Sequence, residues 1–261
     1  MLFKIGDYVT RESHQHDILF KIIELTEDTA YLKGCDVRLI ADSSLEDLRL
    51  SSKKEEFLDL DSLVDSLEVN NNLNRNEYFY LPGKILHIDG DQEYLERCMK
   101  FYKKLKLMAY GVTLKEKEIY LEIEKYLMEL RPDIVIITGH DAILRTKRKA
   151  NKDFIYKNSE NFIKAIKVVR EYEKSQDKLI IIAGACQSNY EELIKAGANF
   201  ASSPKRINIH ALDPAIVGAS LALSDRNKSI DLVSIIEKTK YKEEGIGGII
   251  TNGTMYVGYP R

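Results

Sequence analysis

Tryptophan is absent from the 261 residues, and there are only three cysteines and five prolines. Apolar runs are short: "IVIIT" and "LIIIAGA" are among the longest, well below the roughly 20 residues that cross a bilayer. The N-terminal "MLFKIGDYVTRES" lacks the apolar h-region of a signal peptide. Together these absences predict a soluble intracellular protein with no membrane partner. Cys35, Cys98 and Cys186 are odd in number and show no Cys-x-x-Cys spacing. That argues against a disulfide framework or a cysteine-rich zinc site, so each thiol is expected to be free. An excess of positive charge is missing as well. Lys plus Arg number 39 against 41 Asp plus Glu, a formal net charge of -2, and no general basic field for nucleic acid phosphates is expected.

What is present is a globular composition, 44% hydrophobic and 31% charged, enough for the core of one large domain or of a medium domain plus a small one. Residues 1–50 read as short strands, "YVTR", "DILFKIIELTED", "TAYLKG" and "VRLIAD", with Gly6, Asp7, Gly34 and Asp36 at the breaks. This pattern predicts a small SH3-like β-barrel. Residues 51–77 are charged and then Asn-rich, with "NNNLNRN" near the end, and read as a connector.

From residue 78 strands and helices alternate. Strand-like runs are "KILHIDG", "MAYGV", "DIVIITG", "KLIIIAG" and "ANFASS"; between them lie "QEYLERCMKFYKKL", "EKEIYLEIEKYLMEL", "SENFIKAIKVVREYEK" and "SNYEELIKAG" at helical period. This order predicts one α/β domain over 78–261, with a flavodoxin-like, mostly parallel sheet flanked by helices. The near-continuous apolar strands fit a sheet covered on both sides. The tail adds "AIVGASLALS", a helical "SIDLVSIIEKTKY", the cluster "GIGG" and a last apolar piece, "TMYVGYP", for which the pattern offers no placement.

Ligands of open α/β sheets bind beyond the carboxyl ends of the strands. One apolar strand here ends in Gly139-His140-Asp141 and another in Gly184-Ala185-Cys186. Alone, a strand-end cysteine is a small buried hydrophobe and "GHD" a polar turn. Jointly, two matching strand ends deliver a thiol and an imidazole to one edge of a sheet. A histidine, or the start of a helix after Cys186, is what turns a thiol into a nucleophile at neutral pH. The pair is therefore the candidate catalytic dyad. Other polar features read as structural. His14 and His16 fit a hairpin turn better than a metal site, His87 lies within an apolar strand, and Cys98 has the helical spacing of a packed residue.

The arrangement resembles that of caspase- and gingipain-type cysteine peptidases, in which one apolar strand leads into His-Gly and another into Ala-Cys. Roughly 50 residues separate the two in caspases; from 140 to 186 the separation here is 46. The local order Gly139-His140 is reversed, and no glycine follows Cys186. A resemblance covering nearly the whole chain is carried by "IGDYVTR", "DVRLIADSSLEDL", "LPGKILHIDGD", "RPDIVIITGHDA", "IIAGACQSNYEELIKAGANFASSPKRINIHALDP" and "EGIGGI". These runs closely resemble the YabG family of sporulation-specific peptidases. The resemblance implies a cysteine peptidase with a caspase-like domain that processes spore coat proteins and the precursors of germination proteins after arginine. It places the family's His and Cys on His140 and Cys186. It also implies a location in the cytoplasm of the mother cell or in association with the spore coat.

On that reading Cys186 attacks the scissile carbonyl and His140 assists thiolate formation and protonates the departing amine. The backbone N–H groups of Cys186 and Gly139 hold the oxyanion, and no metal or cofactor is required. Arginine selectivity needs a carboxylate able to take a bidentate guanidinium, for which the candidates are Asp213, then Asp141 and Asp89. His210 is an alternative base. Read as a G-x-C-x-S nucleophile elbow, "GACQS" with His210 describes instead an α/β hydrolase or amidotransferase-like enzyme. A third reading is a non-enzymatic spore-coat binding protein. Protein substrates are the expected partners, and oligomeric state is not legible.

Overall fold

Strand and helix boundaries follow the apolar punctuation closely. The computed structural model describes residues 3–52, 60–68, 74–144 and 155–260, and the chain divides into two compact units, Met1–Asp59 and Leu60–Arg261. The expected connector, 51–77, lies partly outside the described residues; its helix α1 (Leu60–Glu68) falls in the second unit.

In the first unit, β1 (Tyr8–Arg11), β2 (Phe20–Leu25), β3 (Thr29–Gly34), β4 (Ile40–Ser44) and β5 (Leu48–Leu50) form an antiparallel sheet in the order β4-β3-β2-β1-β5. Alternation turns Val9, Phe20, Ile22, Ala30, Leu32 and Leu48 into one small core. A register shift between Ile22 and Glu24 sits in the β2–β3 pairing. His14 closes a short 3-10 turn and His16 Nδ1 meets Thr10 Oγ1 at 2.7 Å, so both histidines serve the turn after β1.

The second unit continues with β6 (Phe79–Leu81), β7 (Ile85–Asp89), α2 (Gln92–Lys104), β8 (Ala109–Thr113), α3 (Glu116–Leu130), β9 (Ile134–Thr138), β10 (Ile143–Leu144), β11 (Ile155–Tyr156) and α4 (Ser159–Tyr172). After these come β12 (Ile180–Ala183), α5 (Tyr190–Lys195), β13 (Phe200–Ser202), α6 (Asp213–Ala222), α7 (Leu232–Glu237), α8 (Lys242–Gly245), β14 (Ile246–Gly248) and β15 (Tyr256–Gly258). The main sheet runs β14-β13-β12-β9-β7-β8. Five strands are parallel and β14 joins antiparallel. Read from the other edge, the parallel strands follow the order 2-1-3-4-5, the flavodoxin-like winding. "GIGG" thus becomes an edge strand, and "TMYVGYP" supplies β15, which pairs with β6 in a separate ribbon.

Strands β7, β9 and β12 are buried along their whole length. On one face Leu86, Ile88, Val135, Ile137 and Ile181 pack with Ile119, Ile123 and Leu127 of α3 and Phe162, Ile166 and Val169 of α4. Helices α2 and α6 cover the other face, where the α6 residue Gly218 lies directly over Ile136. Each fully buried Ile or Leu contributes about 1.5–3 kcal/mol, so the sheet that carries the candidate site rests on an extensive core.

Candidate active site

Strands β9 and β12 are adjacent and in register, Ile134 opposite Ile180 and Ile137 opposite Ala183. Parallel neighbours lie about 4.8 Å apart. Past the last pair the two neighbouring chains leave the sheet at the same edge, one into Gly139-His140 and the other into Gly184-Ala185-Cys186. Side chains alternate along a strand, and Ile136 and Ile182 both face Gly218 of α6. Beyond the strand ends Gly184 breaks the alternation, and it is the contacts that locate the two side chains. The His140 ring lies 5.9 Å from that of Tyr94 on α2. Cys186 Sγ accepts the N–H of Ile209 at 3.2 Å and donates to its carbonyl at 3.9 Å, four residues before the start of α6. One turn beyond Tyr94, Cys98 donates to the carbonyl of Ala211 at 3.6 Å. Helix α2 thus touches the surroundings of both candidate residues.

Cys186 is fully buried. The turn that carries it starts at Gly184, whose φ of +108° suits glycine, and a Cβ there would meet Leu193 Cδ1 at 2.9 Å. Glycine at 184 thus lets this turn pack. Ser188 Oγ accepts the Ala185 N–H at 2.9 Å, closing the turn around Cys186.

His140 follows β9 at the junction where the strand order reverses between β7 and β9, the position at which doubly wound sheets open a crevice. Its N–H donates to Glu116 Oε1 at 2.7 Å and its carbonyl accepts from Asn158 Nδ2 at 2.8 Å. Two carboxylates flank the ring. Glu116 Oε1 lies 3.6 Å from Nδ1, and Asp91 Oδ2 lies 3.7 Å from Nε2. Nε2 itself is buried with no hydrogen-bond partner among the described residues, so no hydrogen bond closes the His140–Cys186 pair in this state. Asp91 is the N-cap of α2, accepting from the N–H groups of Glu93 and Tyr94. Burial would raise the Glu116 carboxyl, but the facing His140 ring, with the N–H groups of His140 and of Glu116 itself, holds it below its ordinary value.

The three aspartates expected near an arginine pocket are all buried, and each accepts hydrogen bonds from within the protein. Asp141 takes the N–H of Ala142 at 2.9 Å, that of Asn158 at 2.7 Å, the Ser188 hydroxyl at 3.0 Å and the Ser159 hydroxyl. It therefore ties the His140 loop to the Cys186 turn and to the start of α4. Desolvation pushes its carboxyl up, against the opposing effect of those donors. Asp213 accepts from the N–H of His210 at 3.2 Å and that of Lys240 at 2.9 Å. Asp89 accepts from the Asp91 N–H and from Thr138 Oγ1, both at 2.9 Å. Thr138 in turn lies 3.0 Å from His87 Nε2, whose Nδ1 is 2.9 Å from Tyr102 Oη. His87 is thus a satisfied core histidine. His210 Nδ1 accepts the Leu212 N–H at 3.2 Å, which leaves the proton of a neutral ring on Nε2 and makes that nitrogen a donor.

Asp91 and Glu116 are the residues of this site that the sequence did not disclose. Asp91 carried a cap signal in "DGDQEY", whereas nothing in "TLKEKE" separates Glu116 from its charged neighbours.

A family profile described as YabG peptidase U57 matches residues 4–260. The sporulation-specific protease YabG of Bacillus subtilis (strain 168) is 39% identical over 286 residues, spanning 100% of this chain and 99% of that relative. The chain belongs to the YabG family of peptidases. No helix among the described residues is long and apolar enough to cross a membrane.

Proposed function

We propose that the chain is a cysteine endopeptidase with Cys186 as nucleophile and His140 as general base and acid. The observation that carries this reading is the adjacency of β9 and β12, whose ends lead an imidazole and a thiol to the same edge of the sheet. In the reaction, His140 Nε2 takes the thiol proton as Sγ bonds to the scissile carbonyl carbon. Collapse of the tetrahedral adduct breaks the C–N bond, and the same proton passes to the departing amine. Water then cleaves the thioester and restores the thiol. The N–H groups of Cys186 and Gly139 stabilise the oxyanion; among the described residues no acceptor takes the Gly139 N–H. Because Cys186 has no exposure, substrate enters only when the segment around Ile209 moves off the sulfur.

The strand order with an antiparallel last strand supports a caspase-like domain, and the β4-β3-β2-β1-β5 order supports an SH3-like first unit. The relative's name as a sporulation-specific protease supports protein substrates in sporulating cells; spore coat proteins and precursors of germination proteins follow the family resemblance. Cleavage after arginine follows the family resemblance. Asp213, Asp141 and Asp89 each serve internal donors, so an arginine pocket built on one of them needs that carboxylate to exchange a partner for substrate. The elbow reading with His210 is disfavoured by the Leu212 N–H on its Nδ1.

The test is cleavage of an arginine-containing coat-protein fragment by the wild-type chain, Cys186→Ala, His140→Ala and His210→Ala. Turnover should fall by at least about 10²-fold in the first two variants and persist in the third. Undiminished cleavage by Cys186→Ala would sink the cysteine mechanism, and dependence on His210 alone would transfer the base role to the elbow.

A further inference from the structure

Glu116 is held against the site by the backbone itself. A Cβ on Gly90 would meet Glu116 Cδ at 2.7 Å, and one on Gly139 would meet Oε1 at 2.6 Å. Glycines at both positions open the slot in which this carboxylate lies. From the slot it engages His140 twice, through the N–H at 2.7 Å and opposite Nδ1 at 3.6 Å. A carboxylate facing Nδ1 favours the tautomer with its proton there and leaves the lone pair on Nε2. Nε2 is the ring nitrogen with no hydrogen-bond partner among the described residues. The geometry points to Glu116 as the positioning residue of the dyad: its carboxylate orients His140 and stabilises the imidazolium while Nε2 exchanges the proton with Cys186 and the leaving amine.

This inference rests on the Cys186–His140 reading. The 3.6 Å separation is slightly longer than a hydrogen bond, as expected of catalytic contacts that tighten with substrate. Among the described residues, the titratable groups against His140 are Asp91 and Tyr94 on the α2 side and Glu116 at the start of α3; Asn158, before α4, adds a neutral amide. Glu116 is thus the carboxylate on Nδ1, and Asp91 lies on the side of the working nitrogen.

Glu116→Gln tests the assignment, because the amide oxygen still accepts the His140 N–H while the charge on Nδ1 is lost. The expected result is a fall in kcat of roughly 10²-fold with KM within about threefold of wild type. The alkaline limb of the kcat/KM profile should also move to lower pH, since His140 must hold a proton to release the amine. Gly90→Ala is the second variant. Its Cβ displaces the Glu116 carboxylate without removing the charge, and it should change kcat and the alkaline limb in the same direction. Cys186→Ala and His140→Ala run alongside. If both are inactive while folded Glu116→Gln keeps wild-type kcat and pH profile, the role of Glu116 is overturned and the dyad stands. Should Glu116→Gln fail to fold, wild-type behaviour of Gly90→Ala overturns the role just as directly. Activity in Cys186→Ala or His140→Ala overturns the dyad, and the positioning role with it.

Discussion

Asp141 follows His140 in the chain and Glu116 lies against it in space, yet their surroundings push the two carboxyls in opposite directions. Asp141 is a buried acceptor for two backbone N–H groups and two serine hydroxyls. Removing it strands four donors, and a buried unsatisfied donor costs about 1–3 kcal/mol. Asp141→Ala should therefore lower unfolding stability by more than about 3 kcal/mol in urea titration. Because burial raises its carboxyl, the contribution of Asp141 titration is full below the ordinary carboxylate range and fades as the pH rises through the folded-state value. Glu116 behaves in the reverse sense. Its lowered carboxyl contributes stability above its ordinary value of 4.5, and that contribution is lost as the pH falls through the depressed folded-state value. The stability gap between wild type and Glu116→Gln should accordingly narrow in acid, as urea midpoints measured above and below that value will report.

Among the elements, α4 shows how the two ends of the sheet divide their work. Its first residues meet Asp141 at the edge of the candidate site, while Arg170 in its last turn serves the opposite edge. The Arg170 guanidinium donates to the carbonyls of Gly197 and Leu179 at 2.8 Å and to Asn199 Oδ1 at 2.6 Å, with longer contacts to Glu173 and Ser175. Burial lowers its pKa to about 10, against the favourable charge of Glu173. A lysine ammonium has no planar fork to span these segments. Arg170→Lys should lose about 2–3 kcal/mol, or about 5–10 °C in melting temperature for a unit of this size, with kcat unchanged. A kcat loss equal to that of a site variant would show that the two edges are coupled.

Across the whole molecule, the three cysteines form no disulfide and are buried. Native protein should react with less than one equivalent of a thiol reagent in the time that unfolded protein reacts with three. Fast native labelling of Cys186 would show that the segment around Ile209 opens readily without substrate. The strands β7, β9 and β12 were legible because burial on both faces demands unbroken apolar runs, and the helices between them because one covered face imposes a helical period. Helix α6 carried no period to read, since its residues are buried all round, and β14 and β15 are too short to announce themselves without partners. By itself the sequence determined the alternating order of strands and helices and the two strand ends that carry His140 and Cys186, because both are local consequences of burial pattern and chain direction. Only the tertiary structure decided that Asp91 and Glu116 enclose that histidine and that Ile209 covers that sulfur. Those contacts join segments far apart in the chain, and the crossover that places β7 between β8 and β9 is what brings the two carboxylates to the same edge.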